Sequence, residues 1–195
     1  MLNFLMRMNL PNRLTLMRIV MVPIFCAFIC IEAQWAQLIA ALIFVAAAVT
    51  DMFDGKIARE RNLVTDFGKL MDPIADKLLV TAAMVFLTSQ HRLYAGITVA
   101  FIAREFIISG FRMIAATHGT VIAAGKMGKY KTVTQMVGVV MSIVCLPFGG
   151  TDALLGWPPL AVLSRVVVWV ALALAVVSCV DYIARNWNVI DTTNI

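Results

Sequence analysis

Apolar residues fill this chain in long blocks, interrupted by short polar or proline- and glycine-rich stretches. The interruptions are Glu32 to Gln37, Arg61 to Gly68, Ser89 to Arg92, His118 to Lys129 and Pro147 to Pro159. The blocks between them predict six membrane-spanning helices over approximately 14–32, 35–60, 69–89, 93–117, 130–148 and 159–185. Residues 1–10, with Phe4, Leu5, Met6 and Met8, suit a short N-terminal interfacial helix ahead of Pro11. Asn12 and Thr15 suit a helix start just after that proline. The first apolar run, Ile19 to Ile31, follows Arg7, Arg13 and Arg18 in the order of a signal peptide. No A-x-A site follows it and further apolar runs come soon after, so it reads as a retained first span. There is no internal repeat and no low-complexity tract. The expected fold class is an all-α integral membrane protein, a single domain over residues 1–195.

Composition strengthens the membrane reading. The chain is 62% hydrophobic and 14% charged, with a mean hydropathy of +0.90. A soluble domain of this length cannot bury that much apolar surface. Cys26, Cys30, Cys145 and Cys179 lie in apolar runs without a CxxC, and read as small buried residues rather than disulfides or metal ligands. His91 and His118 fit no zinc spacing and fall near loops.

The net charge is +5, and its distribution says more than its total. One side of the expected bundle holds Arg7, Arg13, Arg18, Lys56, Arg59, Arg61, Lys69, Lys77, Arg112, Lys126, Lys129, Lys131 and Arg185. The other holds Arg92 and Arg165, while Arg104 falls inside a span. The positive-inside bias places both termini in the cytoplasm. No nucleic-acid partner is expected.

Asp51, Asp54, Asp72 and Asp76 lie on the basic side, within one 26-residue stretch. A helix rise of about 1.5 Å per residue puts Asp51 roughly 20 Å from the outer end of its helix. Asp76 falls at about the same depth measured from Ser89, and Arg104 at roughly 17 Å from Leu93. In a hydrocarbon core of about 30 Å, these groups sit below the cytoplasmic interface, so a shared polar cavity open to the cytoplasm is expected.

Spacing supplies the chemistry. Asp51 and Asp54 are i, i+3 and Asp72 and Asp76 are i, i+4, so each pair shares one helix face. The short connection from Arg61 to Gly68 predicts an antiparallel hairpin, with the pairs facing each other and Gly68 closing the loop. Clustered carboxylates suit Mg²⁺ or Mn²⁺, with room in the donor set for two ions on phosphate oxygens. Gly55 costs about 1 kcal/mol in a helix relative to alanine, which either close ligand approach or tight helix packing explains. Arg59, one turn beyond Gly55, suits a phosphate. Glu60 and Asp66 read as ordinary solvated charges. An ion-coupled transporter is the alternative from another class, although such proteins often carry inverted repeats.

The segment satisfies D-x2-D-G-x2-A-R-x8-G-x3-D-x3-D at every fixed position: Asp51, Asp54, Gly55, Ala58, Arg59, Gly68, Asp72 and Asp76. It resembles the signature of the CDP-alcohol phosphatidyltransferases, and the six-helix layout extends the resemblance over most of the chain. The resemblance implies transfer of a phosphatidyl group from CDP-diacylglycerol to an alcohol with release of CMP. It implies that Asp51, Asp54, Asp72 and Asp76 bind the metal ions, with Asp76 also the general base on the acceptor hydroxyl. Gly55 and Arg59 would contact the CDP moiety, helped by Thr65. Asn12, Thr15 and Arg18, in LPNRLTLMR, resemble the element that approaches the nucleotide. A homodimer in the bacterial cytoplasmic (inner) membrane, with its active site facing the cytoplasm, is also implied.

A second basic set, Arg104, Arg112, Lys126, Lys129 and Lys131, lies outside the signature. Arg104 and Arg112 are eight apart, near one helical stripe, and an intramembrane arginine needs a partner. The set reads as an anion pocket for a phosphorylated acceptor. Alternatively, Arg104 pairs with an aspartate and only supports the site, and the lysines are plain cytoplasmic loop charges. Glu105, adjacent to Arg104, is expected to point elsewhere on the helix. AREFIISGFR and GKMGKYKT look like the branch of the family that acts on sn-glycerol 3-phosphate, in phospholipid biosynthesis. The other acceptors to weigh are inositol phosphate, serine or a phosphatidyl lipid.

Overall fold

The computed structural model describes residues 10–60, 66–117, 126–148 and 152–187; within these, the side chains of 10–14, 51–60, 66–73, 76, 126 and 129 are not described. The expected interfacial helix over the first ten residues falls almost wholly outside that range. Six helices follow in order: α1 Leu10–Ile29, α2 Gln34–Glu60, α3 Asp66–Ser89, α4 Ala95–Thr117, α5 Lys126–Cys145 and α6 Pro158–Arg185. They match the expected segments in number and order, and the described residues form no β-sheet. The third helix begins earlier than expected. Asp66 opens it, so Gly68 lies inside its first turn rather than closing the preceding loop.

The helix ends have local causes. Pro158 and Pro159 open α6 behind an extended Trp157, because a proline at the first helical positions loses no intrahelical hydrogen bond. The α3 terminus is a Schellman turn. The His91 N–H reaches the Thr88 carbonyl at 3.0 Å, and the Arg92 N–H reaches the Leu87 carbonyl at 2.9 Å. The turn needs a left-handed residue, and His91 supplies it with φ 58°. That reversal throws the Arg92 side chain back across the bundle.

Arg92 organises one end of the molecule. Its Nη1 donates to Gln37 Oε1 at 2.7 Å, and its Nε donates to the Pro147 carbonyl at 3.0 Å. Its guanidinium also lies 4.9 Å from the centroid of the Phe148 ring. Burial pushes its pKa down to about 10, so it stays charged at neutrality. The carbonyls it meets follow the α5 C-terminus, where a cation is favoured. Gln37 donates in turn to the Ile29 and Ile31 carbonyls at 3.1 and 3.0 Å, and Gln90 donates to the Ile29 carbonyl at 2.7 Å. Gln34 donates to the Asp152 carbonyl at 3.4 Å, which brings in the approach to α6. The ends of α1, α3 and α5 therefore meet the starts of α2 and α6. The helices alternate up and down, and the opposite end gathers the other termini.

Between the ends lies an apolar core. Phe25 of α1 and Phe44 of α2 are fully buried with ring centroids 6.0 Å apart, and Met84, Leu87, Ile143 and Ala171 join them. α1 packs against both α2 and α3, and α5 packs closely along α6. Small residues permit the latter approach. A Cβ on Gly138 would meet Val168 Cγ2 at 3.1 Å, and the Ser142 and Ser164 hydroxyls lie 3.3 Å apart. The four cysteines are free. Cys145 and Cys179 are buried as expected, Cys26 is only half-buried, and Cys30 is exposed, because it lies in the turn just past the end of α1.

The outer surface is strongly apolar: Leu42 is 59% exposed, Val99 64%, Phe106 74% and Trp169 55%. Among the described residues only α6 is both long and apolar enough by itself to cross a membrane. The apolar stretches of α1, α2, α3 and α5 are shorter, at Thr15–Ile29, Gln34–Thr50, Lys77–Ser89 and Tyr130–Cys145. Each gives way to polar residues at the end of the bundle away from Arg92.

Candidate active site

That polar end is where the chemistry-bearing residues fall. α2 carries Asp51, Asp54, Gly55 and Arg59 toward its C-terminus, and α3 carries Asp72 and Asp76 toward its N-terminus. Their side chains lie outside the description, as do Thr65 altogether and the side chains of Asn12, Lys126 and Lys129. Among the described side chains no group of three His, Cys, Asp or Glu could hold a metal. What bears on a metal is therefore the donor set and its placement: four carboxylates, paired at i, i+3 and i, i+4, on two helices. Both helices pack on α1. Hard oxygen donors in that number suit Mg²⁺ or Mn²⁺. On α1, the helix that packs on both signature helices, Thr15 and Arg18 are both buried, at 1% and 2% exposure, which places the Arg18 side chain inside the bundle.

The second basic set is partly assembled. Lys131 of α5 is 2% exposed and donates to Glu105 Oε1 on α4. Arg104 Nη1 donates to the same oxygen at 3.0 Å, and its Nη2 donates to Ser178 Oγ on α6 at 3.3 Å. The Ser178 hydroxyl in turn donates a hydrogen bond to the Ala175 carbonyl at 3.0 Å. Arg104 Nε is buried and has no hydrogen-bond acceptor among the described residues. Lys77 of α3 donates to Ser109 Oγ, which donates to the Glu105 carbonyl at 2.6 Å. The Lys131 ammonium also lies 5.8 Å from the centroid of the Phe101 ring. Two cations, Arg104 and Lys131, thus share one carboxylate, and a third, Lys77, is held one turn away by Ser109.

Several expectations change here. Glu105 does not point away from Arg104. Adjacent residues leave a helix about 100° apart, but both side chains are long enough to fold back and meet. Among the described residues Arg104 pairs with Glu105 and Ser178; whether it also meets an aspartate falls outside them. Lys131 is a buried residue of α5, not a loop charge. Arg112 is exposed on α4. The sequence reasoning missed Lys77, Glu105, Ser109 and Ser178. Lys77 directly follows Asp76, and Ser109 lies four residues after Glu105 on the same face, so two of them carried a readable signal.

Comparison with known proteins bears on this site. The family model described as CDP-alcohol phosphatidyltransferase matches residues 8–177. A relative from Bacillus subtilis (strain 168), named CDP-diacylglycerol--glycerol-3-phosphate 3-phosphatidyltransferase, is 38% identical over 95% of this chain and 99% of its own length. A protein of the same name from Rickettsia typhi is 36% identical over 89% of this chain and 94% of its own. Another from Salmonella typhimurium is 43% identical over 69% of this chain and 76% of its own.

Proposed function

The chain belongs to the CDP-alcohol phosphatidyltransferase family, and from that premise we propose that it transfers phosphatidyl from CDP-diacylglycerol to sn-glycerol 3-phosphate, releasing CMP and forming phosphatidylglycerophosphate. The observation that carries the acceptor assignment is the convergence of Lys77, Arg104 and Lys131 on the side of the bundle that bears the signature aspartates. An acceptor bearing a phosphate finds charge-assisted donors there; an uncharged alcohol would leave the surplus positive charge without a counter-ion. The relatives' shared name supports the same acceptor. Family membership replaces the transporter alternative.

Asp51, Asp54, Asp72 and Asp76 would hold the divalent cations, Mg²⁺ or Mn²⁺. Bound there, the metal neutralises charge on the pyrophosphate oxygens and stabilises departing CMP. Gly55, Arg59 and Thr65, with Asn12, Thr15 and Arg18 of α1, would seat the CDP head. Burial of Arg18 on the helix that packs against both signature helices supports that role. Arg104 and Lys131 would hold the acceptor phosphate, with Arg112, Lys126 and Lys129 toward its entrance. Asp76 takes the proton from the acceptor hydroxyl as its oxygen bonds to the lipid-bearing phosphorus and the bond from that phosphorus to CMP breaks.

All six helices cross the membrane in this reading, with both termini and the site on the cytoplasmic side of a bacterial inner membrane. The exposed apolar belt supports immersion in lipid, and the alternation of helices supports the even number of crossings. The shared level of the polar residues explains the shortness of most apolar stretches: each span ends in the site. The protein acts as a homodimer, which its mass in detergent would check. The test of function is CMP release by the purified protein given CDP-diacylglycerol, Mg²⁺ or Mn²⁺ and glycerol 3-phosphate. Release with another alcohol and none with glycerol 3-phosphate would overturn the acceptor assignment.

A further inference from the structure

A half-buried carboxylate among cations that serve an anion is a puzzle, because it repels the ligand they serve. We infer that Glu105 is the positioning residue of the acceptor pocket: it holds Lys131 and Arg104 in place and tunes the local charge to that of a phosphate dianion. The inference rests on the acceptor reading above.

The geometry argues it in three steps. First, Lys131 is almost wholly buried, and its described partners are Glu105 and the face of Phe101. A buried ammonium without a counter-ion is strongly unfavourable, and a long lysine stem would carry it out toward water. Glu105 keeps it inside. Second, Arg104 is held at two points, Nη1 on Glu105 and Nη2 on Ser178, which fixes the guanidinium plane. Its Nε is left buried without an acceptor among the described residues, a donor that a ligand oxygen would satisfy. Third, the Glu105 backbone carbonyl anchors Ser109, which receives Lys77. The Glu105 carboxylate therefore holds the cations of α4 and α5, and the cation of α3 joins them through Ser109 on the same face of α4.

The charge balance follows. Lys77, Arg104 and Lys131 against Glu105 leave a surplus of two positive charges. A phosphate monoester carries about −1.5 to −2 at neutral pH. Without the carboxylate, three cations would share a low-dielectric pocket and repel one another whenever the acceptor is absent.

Michaelis constants for both substrates test this in Glu105→Gln and Glu105→Asp. The Gln variant is expected to raise KM for glycerol 3-phosphate about tenfold or more, a loss of ~1.4 kcal/mol. KM for CDP-diacylglycerol should stay within about twofold, since the residue acts on the acceptor side. The Asp variant, which keeps the charge, should recover part of the loss. An unchanged KM for glycerol 3-phosphate, or an equal rise in both constants, overturns the inference. A double-mutant cycle guards against poor folding of the single variant. Where Lys131→Met is already present, Glu105→Gln should add little, whereas additive losses would show that the two act separately. Wild-type release of CMP only with an uncharged alcohol overturns the acceptor reading and this inference together. A wild type selective for glycerol 3-phosphate whose Gln variant keeps its KM overturns this inference alone.

Discussion

Arg92 Nη1 and Gln37 Oε1 are 2.7 Å apart and buried, on a residue just past α3 and a residue in the first turn of α2. This contact ties helix ends that are far apart in sequence at the pole opposite the candidate site. Replacing Arg92 by Met would strand Gln37 Oε1 and the Pro147 carbonyl without their donor. The expected loss is about 2–4 kcal/mol, within the range for breaking a buried charged network. Thermal unfolding in detergent checks it. KM values at low temperature should stay near wild type, because the substitution is remote from the acids.

The turn that delivers Arg92 makes a second prediction. His91 holds φ 58°, a conformation in which a Cβ is strained and glycine is not. His91→Val should lower stability by about 1–2 kcal/mol. His91→Gly should leave it unchanged or raise it by up to ~1 kcal/mol, once the greater freedom of glycine in the unfolded chain is counted. The thermal midpoints of both variants, in one detergent, decide it. A valine variant as stable as wild type would remove the Schellman turn as the reason for this loop's shape.

Asp76→Asn removes the proposed base while keeping the side-chain size. Turnover should fall by about 10²–10⁴-fold, the usual contribution of a positioned general base. Binding of a cytidine nucleotide, measured by calorimetry, should persist because the other three aspartates and Arg59 remain. Full activity in this variant would take the base role away from Asp76.

Metal removal probes the carboxylate set as a whole. Chelation by EDTA should reduce CMP release to background, and added Mg²⁺ or Mn²⁺ should restore it. Undiminished release in EDTA would leave four closely placed aspartates without a function. In the Arg92→Met variant the same metal response should survive, which separates loss of stability from loss of the site.

Much of this was readable in the chain. The six helices fall close to where the apolar blocks predicted them, because a run of apolar residues bounded by prolines, glycines and charges leaves few other conformations. The Asp51 to Asp76 spacing carried the family identity, because i, i+3 and i, i+4 positions share a helix face whatever surrounds them. Arg104, read as an intramembrane charge in need of a partner, does have one.

Its partner was not readable. Helical geometry alone points Glu105 away from Arg104, because it ignores the reach of two long side chains and the pull of Lys131 from another helix. Nothing local marks Lys131 as a buried residue rather than a loop charge. Periodicity and spacing are local properties, so the sequence by itself determined the helices, the acidic signature and the sidedness of the charge. Which cation meets which anion depends on how α3, α4, α5 and α6 pack. Only the tertiary structure decided that Arg104 and Lys131 share the Glu105 carboxylate while Lys77 reaches the same stretch of α4 through Ser109, because the cost of burying a charge is settled by neighbours that the chain brings together from far apart.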